Sequence, residues 1–140
     1  MNTLTSFQNA KLLKEKGFDE PCPHSYKELD SPVLYAHQDK KYNNSHKKEW
    51  QNTVRRNSKM NNAVINIYSA PTIAEVVMWL YEKHGIWIVS SYELNIETHK
   101  KEWFWIAIKD GEEIAYQYVD FNSPTEAYSA GVEYCLTKLL

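Results

Sequence analysis

The apolar residues of this 140-residue chain change period several times, and each change marks an element. Residues 5–16 read as a first helix. Thr5 and Gln8 stand at capping-box spacing, and Lys14 and Lys16 sit in the last turn, where they oppose the negative end of the helix dipole. Gly17 supplies a left-handed stop, and Phe18 folds back on it. Pro21, Pro23 and Pro32 make residues 19–32 a loop, and a short strand follows at Val33–His37. Val64, Ile65 and Ile67 form a second β-rich run. Ile73, Val76, Val77, Leu80 and His84 then fall on one helical face, opened by the pair Thr72 and Glu75 and closed by Gly85. Strands are expected at about 86–96, 101–109 and 113–119, the last two joined by Asp110-Gly111. Ser123, Pro124 and Glu126 open a final helix with an apolar stripe of Tyr128, Val132, Cys135 and Leu139.

This order predicts an α+β fold. A three-stranded antiparallel meander at 86–119, with an N-terminal hairpin beside it, carries helices packed mainly on one face. A regular two-residue turn at Asp110-Gly111 sets Lys109 against Glu112, Ala107 against Ile114, Trp105 against Tyr116 and Trp103 against Tyr118. In that register Trp103, Trp105, Tyr116 and Tyr118 share one face, and Phe104, Ile106 and Ile108 share the other; a four-residue loop, Glu97 to Lys100, between the first two strands adds Tyr92 to the Trp/Tyr face. The helices are expected on the Phe104 side. The Trp/Tyr face is then either covered by the N-terminal elements or an interaction surface, where such residues concentrate. Tyr68-Ser69-Ala70-Pro71-Thr72 and Phe121-Asn122-Ser123-Pro124-Thr125 echo one another, which we read as convergent strand-to-helix chemistry.

Composition adds a charge asymmetry. The chain is net −2, yet residues 39–62 are net +5 and residues 63–140 net −6. The basic arm at 39–62, inside what reads as a single domain, carries Lys40, Lys41, Lys47, Lys48, Arg55, Arg56 and Lys59 among six Asn, with Tyr42 and Trp50 interleaved. It reads as a mobile arm or hairpin loop, with a short helix at Lys47–Arg56 as the alternative. The N-terminus has neither a basic nor an apolar leader region, and no run reaches the ~20 apolar residues of a membrane span, so a cytoplasmic protein is expected. Four glycines exclude a Gly-rich phosphate loop, and two cysteines exclude a disulfide framework. Cys22, His24, His37, His46 and His99 match no closed zinc spacing. Cys22 lies in a Pro-rich loop without a nucleophile motif, and Cys135 belongs to an apolar helix face. No catalytic, cofactor or metal site is therefore expected.

Parts of the chain resemble two known families. The order helix, three strands, helix over 72–139 resembles the double-stranded-RNA-binding domain, which implies RNA contact. The stretch matching that family's phosphate-straddling lysines, Ser123 to Tyr128, holds one Glu and no Lys or Arg. Lys11 to Pro21, Ser69-Ala70-Pro71-Thr72, Trp79 to Ile86 and Ser123 to Gly131 together resemble a group of short proteins encoded by phages and mobile elements of gut bacteria. The resulting expectation is a non-enzymatic accessory protein acting by protein–protein contact or self-association. Nucleic-acid binding through the arm and the aromatic face is the rival, and a small enzyme with a site assembled from distant residues is the third reading.

Overall fold

In the computed structural model, residues 3–20, 22–28, 33–36, 54–57 and 63–140 are described. They form an α+β protein whose two compact units divide near Pro71.

The first unit opens with α1 (Phe7–Glu15), and the helix starts one residue later than the Thr5/Gln8 pair implies. Ser6 is the cap, its Oγ accepting from the Asn9 amide at 3.2 Å. Thr5 is buried instead; its amide donates to the Pro71 carbonyl, and its hydroxyl finds no partner. The C-terminus matches expectation. Gly17 takes φ +85°, and the Phe18 amide reaches the Leu13 carbonyl at 2.9 Å, as in a Schellman stop.

The region read as a Pro-rich loop contains a strand, β1 (His24–Lys27), which pairs with β2 (Val33–Ala36) as one hairpin and with β4 (Ala63–Ser69) on its other side. Pairing on both sides turns a short polar segment, HSYK, into a central strand, which its own propensity does not announce. Beyond β4 lies β3 (Val54–Asn57), giving the order β2-β1-β4-β3. The helical alternative for Lys47–Arg56 therefore fails at 54–56, where the backbone is a strand. The rest of the basic arm, including Lys40, Lys41, Lys47, Lys48 and Lys59, lies outside the described residues.

The second unit follows the helix–three-strand–helix order. α2 (Ile73–His84) carries the expected capping box, with Thr72 Oγ1 accepting from Glu75 N and Glu75 Oε2 accepting from Thr72 N. Gly85 closes it at φ +68°. β5 (Ile86–Leu94), β6 (Lys101–Lys109) and β7 (Glu112–Phe121) form an antiparallel sheet with β6 in the centre. Asp110 and Gly111 both have positive φ, as a two-residue hairpin requires. α3 (Pro124–Tyr134) starts on Ser123, whose Oγ accepts from Glu126 N, and runs into a π-helical turn at Cys135–Leu139. Proline follows the cap in α3 but precedes it in α2, so the two echoed segments reach similar helix starts by different chemistry.

The hairpin register departs from a regular ladder. Lys109 does face Glu112, but Ala107 faces Ala115 and Trp105 faces Gln117, because Ile114 is an extra residue between Glu113 and Ala115. A second shift places Trp103 opposite Phe121. One inserted residue moves every later side chain of β7 to the opposite face. Trp103, Trp105, Tyr116 and Tyr118 therefore do not share a face.

The helix-covered side is also the reverse of the expected one. Ile86, Ile88, Trp105 and Ala107 are buried with Val132, Cys135 and Leu136. A Cβ on Gly131 would lie 3.1 Å from both Ile88 Cγ2 and Trp105 Cδ2, so α3 sits directly on the Trp105 face. The expected stripe of α3 shifts accordingly to Ala127, Gly131, Val132, Cys135 and Leu136, with Tyr128 and Leu139 only partly covered.

Candidate functional site

The uncovered side of the β5-β6-β7 sheet is the principal candidate. Its members follow from the register: Trp87 pairs with Ile108, Val89 with Ile106, and Ser91 with Phe104. On β7, Tyr116 faces Ile106, and the Tyr118 ring lies 4.7 Å from that of Phe104. The Tyr116 and Tyr118 rings lie 5.0 Å apart, tilted at 56° to each other. Tyr116 is 59% exposed, Tyr118 53% and Trp87 39%, while Phe104, Ile106 and Ile108 between them are half-buried. A contiguous aromatic and aliphatic surface on a sheet is the usual mark of a contact site.

Charge on this face has one sign. Among the described side chains whose register places them here, the charged ones are Glu93, Glu102 and Glu113. The first two pair with each other at one end, and Glu113 pairs with Ile108 at the other. Glu102 is held by Asn95 Nδ2 at 2.6 Å, and Asn95 Oδ1 accepts from the amides of Glu97 and Thr98. These bonds order the 95–100 turn and with it that end of the face. Lys101 and Lys109 belong to the opposite side of β6.

The five sequence-selected aromatics divide between the two sides. Tyr116 and Tyr118 are on the open face. Trp105 is fully buried, its Nε1 donating to Gln117 Oε1 at 3.2 Å and its ring 5.2 Å from that of Tyr134. Tyr92 and Trp103 share the Trp105 side at its far end, ring to ring at 5.0 Å, with the Lys101 ammonium 4.5 Å from the Tyr92 ring centre. Trp87, Phe104 and Ile106 are the members that sequence reading missed. They were missed because the helices were expected on their side, while the bulge at Ile114, which no residue type announces, is what brings Tyr116 and Tyr118 to them.

A second cluster lies in the first unit. Phe7 meets the rings of Tyr26 and Tyr68 edge-on at 5.5 and 5.6 Å. Tyr68 donates to Glu28 Oε2 at 2.8 Å, and Lys11 lies 3.5 Å from Glu28 Oε1. Lys14 sits 4.9 Å from the Tyr68 ring centre. Burial, reinforced by Glu28, pushes the Tyr68 hydroxyl up to about 12, and burial draws the Lys14 ammonium below its ordinary value against the pull of Glu28. These groups satisfy one another and pin α1 to β1 and β4. Burial also pushes the Cys135 thiol up to about 12, so it is a poor nucleophile. Cys22 is buried, with Sγ 3.5 Å from the Glu20 carbonyl. Among the described residues, no three His, Cys, Asp or Glu side chains gather as metal ligands, and no helix is long and apolar enough to cross a membrane. No family model, curated protein or solved structure matches the chain.

Proposed function

We propose that the chain is a non-enzymatic binding protein of the phage or mobile-element accessory type, and that it contacts a protein partner through the open β5-β6-β7 face. The observation that carries this reading is the exposure of Trp87, Tyr116 and Tyr118 over a floor of Phe104, Ile106 and Ile108. The acids at both ends of the face support a partner that is an apolar segment with Lys or Arg at its ends. The same acids disfavour two copies meeting through this face, because each end would bring carboxylates together. They also disfavour phosphates on it, which leaves the nucleic-acid alternative resting on the basic arm alone.

The test compares proteins retained from the native host's lysate by the wild type and by Tyr116→Ser/Tyr118→Ser, with folding checked by circular dichroism. A protein held by the wild type, lost from the double variant, and also lost from Glu93→Lys/Glu113→Lys supports the reading. Identical retention by all three overturns it. Salt-sensitive binding of a single-stranded oligonucleotide, unchanged by the face substitutions, would favour the arm instead.

A further inference from the structure

We infer that β5 is a self-pairing edge, on which a second copy of this chain adds antiparallel about Ser90 to make one six-stranded sheet. The two edges of the sheet are built differently. β7 shifts register twice, and bulges of this kind twist an edge and blunt it against pairing. β5 pairs with β6 at nine consecutive positions without a shift. It has no Pro, no Lys and a single charge, Glu93, and among the described residues no strand pairs with its outer side.

The register of such a pair is constrained. A two-fold axis normal to the sheet keeps corresponding faces on one side, so it must pass through a residue facing its own copy. Ser90 is the midpoint of Ile86–Leu94, and only a Ser90-centred pair uses every residue of the strand. Ile86 then meets Leu94 and Ile88 meets Tyr92 on the helix side, while Trp87 meets Glu93 and Val89 meets Ser91 on the open side. No like charges oppose each other.

Two further features fit a second copy. Leu94 is 62% exposed with Tyr92 beside it at one end of β5; at the other end α2 exposes Met78 and Tyr81, and the Tyr81 ring lies 5.4 Å from that of Trp87. The two-fold axis brings each apolar end against the other. The Ser90 hydroxyl is enclosed without a hydrogen-bond partner. Across the axis it gains one, since a rotation about Cα–Cβ lets one Ser90 donate to the other. The resulting sheet sets two open faces side by side, independently of what docks on them.

Sedimentation velocity over a concentration series tests the pairing. The wild type is expected to pass from one chain to two, and Leu94→Lys to weaken that step at least about tenfold, because it sets a charge against Ile86. Under mild oxidation Ser90→Cys should form a covalent dimer, since self-paired residues stand about 4.5–5.5 Å apart at Cα, within disulfide reach. Ser91→Cys, which faces Val89, should not. A wild type that stays a single chain at about 0.5 mM, or equal cross-linking of both cysteine variants, overturns the proposal.

Discussion

Trp105 shows how one residue's role depends on its neighbours' register. Its indole is fully enclosed, bonded to Gln117 and packed under Gly131, where a Cβ would come within 3.1 Å of the ring. Gly131→Ala should therefore destabilise the protein. The added methyl gains about 1 kcal/mol of helix propensity but comes within 3.1 Å of the buried Ile88 and Trp105 side chains, which must shift to admit it, and overpacking costs roughly 1–3 kcal/mol. Urea unfolding should show a net loss on the order of 1 kcal/mol; a more stable variant would mean that the Trp105 pocket gives way. Thr5 makes the opposite case. Its buried hydroxyl has no partner, so Thr5→Val should leave stability unchanged or raise it, whereas Ser6→Ala should cost about 1 kcal/mol through the lost cap. Alkaline titration adds a further check. Cys135 and Tyr68 hold their protons to about pH 12, while the unfolded chain releases the thiol proton near pH 8.5 and the phenol proton near pH 10. Their folded values are raised acids, so the stability they contribute is present below those unfolded values and is lost as pH rises toward 12. Urea midpoints should fall from about pH 9 upward, and the fall should be shallower in Tyr68→Phe above pH 10.

At the scale of elements, the β6-β7 hairpin separates what the amino-acid pattern states from what it conceals. The positive-φ pair Asp110-Gly111 and the capping residues Thr72, Glu75 and Ser123 are local chemistry, and they set the turn and both helix starts as read. Ile114 carries no such mark. Ile is an ordinary strand residue, and only the competition between two possible faces decides that it is bulged. Without the bulge, Tyr116 would turn toward the helices and Gln117 away from Trp105. Deleting Ile114 should therefore unfold the second unit or cost at least about 3 kcal/mol, the scale of losing several buried contacts at once. Loss of the near-ultraviolet tryptophan signal would report it; a well-folded deletion variant would show that the face assignment is not set by the bulge. β1 was hidden for a related reason. His24-Ser25-Tyr26-Lys27 has little strand propensity of its own, and its identity comes from β2 and β4 on either side.

At the scale of the whole molecule, the α+β class was legible because helix periodicity, strand alternation and caps agreed along residues 72–139. The candidate site was legible only in its chemistry. The excess of Trp and Tyr and the acidity of residues 63–140 both appear in it, but which aromatics are exposed required a register that no local signal encodes. That distinction changes which substitutions can probe function. Trp105→Ala removes an enclosed indole and should cost about 3–5 kcal/mol, enough to unfold a marginal domain. Tyr116→Ala removes a side chain that is mostly in water, so its thermal midpoint should stay within about 3 °C of the wild type. Differential scanning calorimetry of both variants checks the pair. A Tyr116 variant that melts as early as the Trp105 variant would make the open face part of the stabilising core, and with it would go the argument that the face is kept for a partner.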